Sequence, residues 1–287
     1  MRALAVLRGE RTALAGLAVL CLYVAGAALA PVIAPADPNV GDLSYRFAPP
    51  FWMPGGDPNR LLGGDAVGRD LLSRIVWGAR ASLAIGGLAV VLSGVIGLAL
   101  GSVAAYVRGW LDAATSRVAE FLLAFPLLIF AIGVLAVLGP SFWVIVLALT
   151  FKSWVEFFRV TRGEVLVQKT LEYVTSARAI GASHARIITR HILPNVVHTT
   201  LVLMTLRFGY LVIMEASLSF LGLGVQPPTP AWGSMVADGR SFMLDAWWVA
   251  TFPGIALVLL VLSLNLLGEA LRDALDPRLR SGAEVRA

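Results

Sequence analysis

The chain has 287 residues, 58% of them hydrophobic and 14% charged, with a formal net charge of +5, a mean hydropathy of +0.80 and an isoelectric point near 9.9. That composition excludes a water-soluble domain and belongs to a polytopic membrane protein. The single cysteine, Cys21, lies in an apolar run, which excludes disulfides and cysteine-ligated metal sites. Lys152 and Lys169 are the only lysines. Neither follows a glycine as a phosphate-binding loop requires, so any ATP that drives this protein is bound by another chain.

Residues 1–34 read as a basic tail followed by a first span over 12–30. Ala28-Leu29-Ala30 resembles a signal-peptide cleavage site, but the apolar run is longer than a signal core and Pro31 follows at once, so an uncleaved span is favoured. Residues 35–81 are rich in Pro, Gly and Asp and too polar to cross. Within them Leu71, Leu72, Ile75, Val76 and Ala79 form one apolar stripe, with Arg69, Asp70, Ser73 and Arg80 off it. This predicts an amphipathic helix at the membrane surface or against neighbouring spans.

The second span, 82–106, carries Gly87, Gly94 and Gly101 at intervals of seven, and Gly97 with Gly101 as GxxxG. Such a face admits another helix closely, from this chain or from a partner. The third span, 121–138, contains Pro126, which predicts a bend serving either a pathway or structure alone. The fourth runs from 142 to about 158. The fifth, 199–221, holds Arg207 and Glu215, about 12 Å apart along a helix and on roughly one face. Ionisable groups at that depth mark a pathway or pair with neighbouring helices. Gly222 to Trp248 is a polar loop whose Trp232, Trp247 and Trp248 suit a membrane interface. A sixth span covers 249–267.

Residues 171–195, LEYVTSARAIGASHARIITRHILPN, break this pattern. They read as two short helices: Gly181 in a left-handed cap ends the first, Ser183 caps the second and Pro194 ends it. Tyr173, Ala177 and Ile180, then Ile188 and Ile192, are the faces expected to be buried. A DNA-binding helix-turn-helix is disfavoured by the loop's position between spans and its modest charge. With six spans starting inside, both termini, the Arg108 connection and this loop share the side richer in Lys and Arg. The positive-inside rule makes that side cytoplasmic.

The loop resembles the EAA coupling loop of ABC-importer permeases, whose pattern is Glu-Ala-Ala, three residues, Gly, and a spacer ending in Leu-Pro. Here it reads Thr175-Ser176-Ala177, Gly181 and Leu193-Pro194, with Thr for the Glu and Ser for the first Ala. The 61–83 segment is similar to a Leu-Gly-Thr-Asp…Gly-Arg-Asp-x-x-Ser-Arg pattern in the same family, with Gly64 for the Thr. Further matches are the run from Glu215 to Gly222, Pro227 to Gly233, Phe252-Pro253-Gly254, and 265–278 with Glu269 where Asp is usual. Together they resemble the C-type permease of dipeptide, oligopeptide and nickel importers.

The resemblance implies an all-α fold of six transmembrane helices, like a type I ABC importer permease: a five-helix core over 82–280, a coupling loop over 163–198 and a 281–287 tail. It implies a bacterial inner-membrane subunit that pairs with a homologous permease as a heterodimer, docks two ATP-binding subunits and receives substrate from an extracytoplasmic binding protein. Tyr173, Thr175, Ser176, Ala177, Gly181, His191, Leu193 and Pro194 become the ATPase-coupling residues, with Ala177 and Gly181 at the close contact. Pro126, Arg207 and Glu215 remain the pathway or intramembrane polar candidates.

No enzyme chemistry is expected of the chain itself, nor a cofactor or nucleic-acid partner. His184, His191 and His198 recur every seven residues, whereas ligation from one helix prefers three or four. A channel without energy coupling and a membrane-integral enzyme are the competing classes. Among importer substrates, peptides lead, with nickel, glutathione or a sugar oligomer behind.

Overall fold

The computed structural model describes residues 11–275. Arg2, Arg8, Asp276-Pro277-Arg278 and the 281–287 tail fall outside that range. The described chain is helical: α1 (Arg11–Ile33), α2 (Leu71–Val107), α3 (Gly109–Leu123), α4 (Leu127–Leu138), α5 (Phe142–Gln168), α6 (Glu172–Ala179), α7 (His184–Ile187), a π turn (Ile188–Ile192), α8 (Leu193–Phe220), α9 (Trp232–Arg240) and α10 (Trp248–Leu275). Four stretches are long and apolar enough to cross a bilayer, namely 12–33, α2, the run from His184 to Phe220, and 248–274. The bent pair α3 and α4 makes up to a fifth. At 27 residues, α5 spans about 40 Å, but Lys152, Glu156 and Arg159 fall within its first 18 residues.

The amphipathic stripe does not form a separate surface helix. It is the start of α2, a continuous helix of 37 residues, about 55 Å long. Asp70 begins it, accepting from the Ser73 amide at 2.8 Å and the Ser73 hydroxyl at 2.6 Å, as an N-cap carboxylate does. Leu71 and Ala79 are buried as expected, but so are Ser73 and Arg74. Arg74 donates to the Pro38 carbonyl at 3.0 Å and lies 3.5 Å from Asp65. Asp65 also accepts from the Val67 and Arg69 amides and from Arg69 Nε at 2.6 Å. The Gly-Asp…Gly-Arg-Asp segment is therefore a folded polar knot that launches α2. Gly64 has a steric reason: a Cβ there would stand 2.2 Å from the Tyr45 carbonyl oxygen.

The glycine face of α2 packs on α5 of the same chain. A Cβ on Gly97 would fall 2.3 Å from Phe157 Cβ and 2.7 Å from the Phe158 nitrogen, and one on Gly101 2.8 Å from the Phe158 carbonyl. Gly94 meets Met204 of α8 instead. Packing of α2 on α5 is the most extensive in the fold, followed by α2 on α8 and α10 on α8. Helix α1 lies on α10 and α2, with the Tyr23 hydroxyl donating to the Ala256 carbonyl at 3.0 Å.

Pro126 does not bend a continuous span. It sits in the break between α3 and α4 as the residue preceding α4, and the two helices meet at 90°. The 222–248 loop contains α9. Trp232 and Trp248 are buried rather than interfacial; Trp232 Nε1 donates to the Ile75 carbonyl at 2.9 Å and Trp248 Nε1 to that of Gly64 at 3.3 Å. They lock α9, α10 and the polar knot together.

Replacing Gly97 by Ala forces apart two backbones, so the purified chain is expected to lose about 2 kcal/mol or more of stability. Gly133→Ala meets nothing within 4 Å and is expected to be neutral or slightly stabilising. Thermal unfolding in detergent, run on both variants, checks the difference; equal midpoints would remove the glycine contact from the fold's foundations.

Candidate coupling and translocation site

Helix α6 ends in a Schellman motif. The Ala182 amide donates to the Ala177 carbonyl and the Gly181 amide to that of Arg178, both at 3.0 Å. Gly181 takes φ +80°, a conformation that glycine adopts without a Cβ penalty. Ser183 begins α7, its hydroxyl accepting from the Arg186 amide at 3.4 Å. Both turn signals stand where the sequence places them.

Pro194 behaves differently from its expected role. It does not end the second helix; it lies in the first turn of α8, and the helical path continues from His184 to Phe220. The π turn just before it is the accommodation. Pro194 has no amide hydrogen to give, and in a regular helix its ring would crowd the carbonyl four residues back. Leu193 is half-buried beside it, and the His191 carbonyl accepts from Asn195 Nδ2 at 2.7 Å.

The buried faces are rotated from the expected ones. Val174, Ala177, Ile187 and Ile192 pack with Ala105 and Tyr106 of α2, Val165 of α5 and Val196 of α8. Tyr173 is exposed and its hydroxyl donates to Gln168 Oε1. Ile180 is 86% exposed at the tip of the loop. Thr175 and Ser176 are exposed, with the Thr175 hydroxyl turned back to the Glu172 carbonyl at 2.9 Å. Ala177 is thus an internal contact and not a free surface. Gly181 is exposed, with nothing within 4 Å of a Cβ placed there.

Polar ties hold this loop to the ends of α2 and α5. Lys169 Nζ donates to the Ala105 carbonyl at 3.0 Å and the Tyr106 carbonyl at 3.4 Å, closing the carbonyl end of α2 with a cation. Burial, then the nearby Arg108 and Arg178, push the Lys169 ammonium below the usual lysine range. The Tyr106 hydroxyl lies 3.1 Å from His184 Nδ1. Arg162 of α5 grips Asp112 of α3 in a two-pronged pair at 2.6 and 2.8 Å.

Of the intramembrane candidates, Arg207 and Glu215 are not brought together. Glu215 is fully buried, accepting from Ser82 Oγ of α2 at 2.9 Å and Ser219 Oγ at 2.6 Å. It ties α8 to α2. Arg207 instead pairs with Glu156 of α5 at 2.6 Å, and the two side chains are 35% and 37% exposed. The guanidinium also lies over the Tyr210 ring, 5.4 Å from its centroid. Reading the sequence alone misses Glu156, Asp112, Tyr106 and Lys169, because each acquires its role from a partner far along the chain. The available signal was a pair of opposite charges, Lys152 and Glu156, inside the apolar run of 142–158.

An all-α body built on close-packed spans, with a capped helix pair projecting from one end, defines the class: a membrane permease of the type I ABC-importer fold. The chain belongs to the family described as binding-protein-dependent transport system inner membrane component, whose model matches residues 97–281; an N-terminal domain model of oligopeptide transport permease C matches residues 1–50. It is 44% identical over 271 residues to the dipeptide transport system permease protein of Escherichia coli, covering 94% of this chain and 90% of that one. A di/tripeptide transport system permease protein of Pseudomonas aeruginosa is 42% identical, over 96% of this chain and 90% of its own. A glutathione transport system permease protein of Pectobacterium atrosepticum is 47% identical over 77% of this chain and 73% of its own. Among solved structures, an inward-facing methionine ABC transporter matches with a TM-score of 0.59 at 19% identity, over 72% of this chain and 98% of that chain.

Truncating Ile187 to Ala removes a fully buried side chain from the loop's core and is expected to cost about 2–5 kcal/mol. Ile180→Ala is expected to leave the isolated chain unchanged. Hydrogen exchange over residues 172–192 reads both; loosening by Ile180→Ala equal to that by Ile187→Ala would contradict the burial pattern.

Proposed function

We propose that this chain is the permease subunit of an ATP-driven importer of di- and oligopeptides, forming the translocation pathway with a homologous permease. In this reading α5 crosses the membrane as well, so that six spans place the 163–198 loop and both termini in the cytoplasm of a bacterial inner membrane. Two separate ATP-binding subunits dock on that loop, and an extracytoplasmic binding protein delivers substrate to the opposite end. The observation that carries the proposal is the loop's construction. Its buried side is bolted to the ends of α2, α5 and α8, while its tip presents Ile180 to solvent.

An isoleucine so exposed beside a tight turn is a poor surface residue and a good plug for a cleft in another protein. Movement of the ATPases is then transmitted to the spans because the loop is packed against them on its other side. Coupling rests on shape around Ile180 and Gly181 and not on a carboxylate at position 175. The names of the relatives favour peptide as the cargo. The 47%-identical glutathione permease favours a tripeptide thiol as the second reading within the same chemistry.

The test is made on the whole importer in proteoliposomes. Ile180→Asp puts an uncompensated charge in the contact. Uptake of labelled dipeptide is expected to fall about tenfold or more, with basal ATP hydrolysis by the ATP-binding subunits retained. Normal coupled uptake by that variant would sink the coupling role of the tip. Copurification of the chain without any ATPase would favour an uncoupled channel.

A further inference from the structure

The pair formed by Glu156 and Arg207 has a property that the other ionic contacts of the membrane body lack. It lies near the middle of both of its helices: Glu156 is 14 residues from the start of α5 and 12 from its end, and Arg207 is 14 from the start of α8 and 13 from its end. Yet more than a third of each side chain remains exposed after pairing. A guanidinium and a carboxylate at that depth cannot face hydrocarbon without large cost. Glu215 shows what a sealed carboxylate looks like in this fold, with no exposure and two hydroxyl donors. The pair at Glu156 is built otherwise, with part of both side chains left open.

The charges around it are not balanced. Lys152 precedes Glu156 by one helical turn of α5 and Arg159 follows it by about one, so cations outnumber the anion along this face. Arg207 also lies over the Tyr210 ring, a further favourable contact for its charge. A free peptide has one ammonium and one carboxylate at its ends. We propose that the Glu156–Arg207 pair is a specificity element of the pathway, opening to take the carboxylate of a zwitterionic peptide on Arg207 and its ammonium on Glu156, with Lys152 supplying the excess positive charge. This rests on the reading of the chain as a peptide permease. Exchange of one ion pair for two gives each terminal charge of the solute a partner at mid-depth, which keeps the passage of a doubly charged solute from costing its full desolvation. The same exchange is closed to a peptide lacking either terminal charge.

The experiment uses the complete detergent-purified complex in which this chain carries Cys21→Ser and Ser153→Cys. Ser153 is half-buried on α5, one turn before Glu156, and neither changed position belongs to the pair. Reaction of this thiol with a charged, water-soluble methanethiosulfonate is followed on this chain by mass, both nucleotide-free and with a non-hydrolysable ATP analogue. The thiol is expected to react in at least one state. A free dipeptide at millimolar concentration is expected to slow the reaction about tenfold, whereas its C-terminal amide and its N-acetyl form slow it less than about twofold.

Adding Arg207→Gln or Glu156→Gln is expected to abolish the protection by free dipeptide. The blocked peptides probe the unaltered pair, so the result does not depend on those variants folding. Equal slowing by all three peptides, slowing by none, or protection that survives neutralisation would overturn the proposal while leaving the pathway reading standing. A thiol that reacts in neither state would overturn the pathway reading itself, since the face would then be covered by protein.

Discussion

Everything in this fold hangs on the backbone contact between α2 and α5 at Gly97 and Gly101. In a bilayer there is no water to expel between helices, so dispersion at short range must supply the attraction, and small residues permit it. The consequence is mechanical. Helix α2 extends about 55 Å, and its two ends carry the two polar constructions of the molecule. At one end Asp70 caps the helix beneath the Asp65–Arg69–Arg74 knot; at the other, Ala105 and Tyr106 receive Lys169 and the apolar side of the loop. With α5 pressed against it at Gly97 and Gly101, nearer the loop end, α2 fixes where both ends stand.

Three carboxylates in this body are satisfied in three ways, and the difference sorts their roles. Asp112, near the loop end, is held by a two-pronged arginine and ties α3 to α5. Glu215, sealed between α8 and α2, receives two serine hydroxyls and no cation. Glu156 takes one arginine and keeps a third of its side chain open. Burial with full satisfaction is what a structural group needs. Glu156 and Arg207 meet neither condition fully, each keeping more than a third of its side chain open.

Much of this was legible in the sequence, because the signals were local. The glycine heptads, the apolar runs at 12–30, 82–106, 199–221 and 249–267, the Gly181 cap and the Ser183 cap depend on residues a few positions apart, and each falls in a helix or turn where its pattern puts it. What failed needed knowledge of a distant partner. The short helix α6 has two adjacent candidate faces, and only the position of Tyr106 and Val165 decides that Val174 and not Tyr173 turns inward. Trp232 reads as interfacial until Ile75 and Gly78 are known to lie beside it. Pro194 reads as a terminator because a proline normally is one; the π turn that absorbs it has no signature in composition. Glu156 and Asp112 receive no role from the sequence, since a partner 50 or more residues away is invisible to periodicity.

The size of the loop helices makes the last step. Eight residues in α6 are too few to hold helical form in water by themselves, and α7 is one turn at the exposed end of the run that continues into α8. Their form is borrowed from the surface made by α2, α5 and α8, through Val174, Ala177, Ile187 and Ile192. A lever of this kind cannot slide relative to its spans without first losing its own structure. Force applied at the tip therefore reaches the junction of α2 and α5 before it unfolds the loop, provided the buried side chains stay in place. Ala177, the one buried residue of 175–177, is small enough to let α6 lie low against that junction, leaving Ile180 as the part that stands clear.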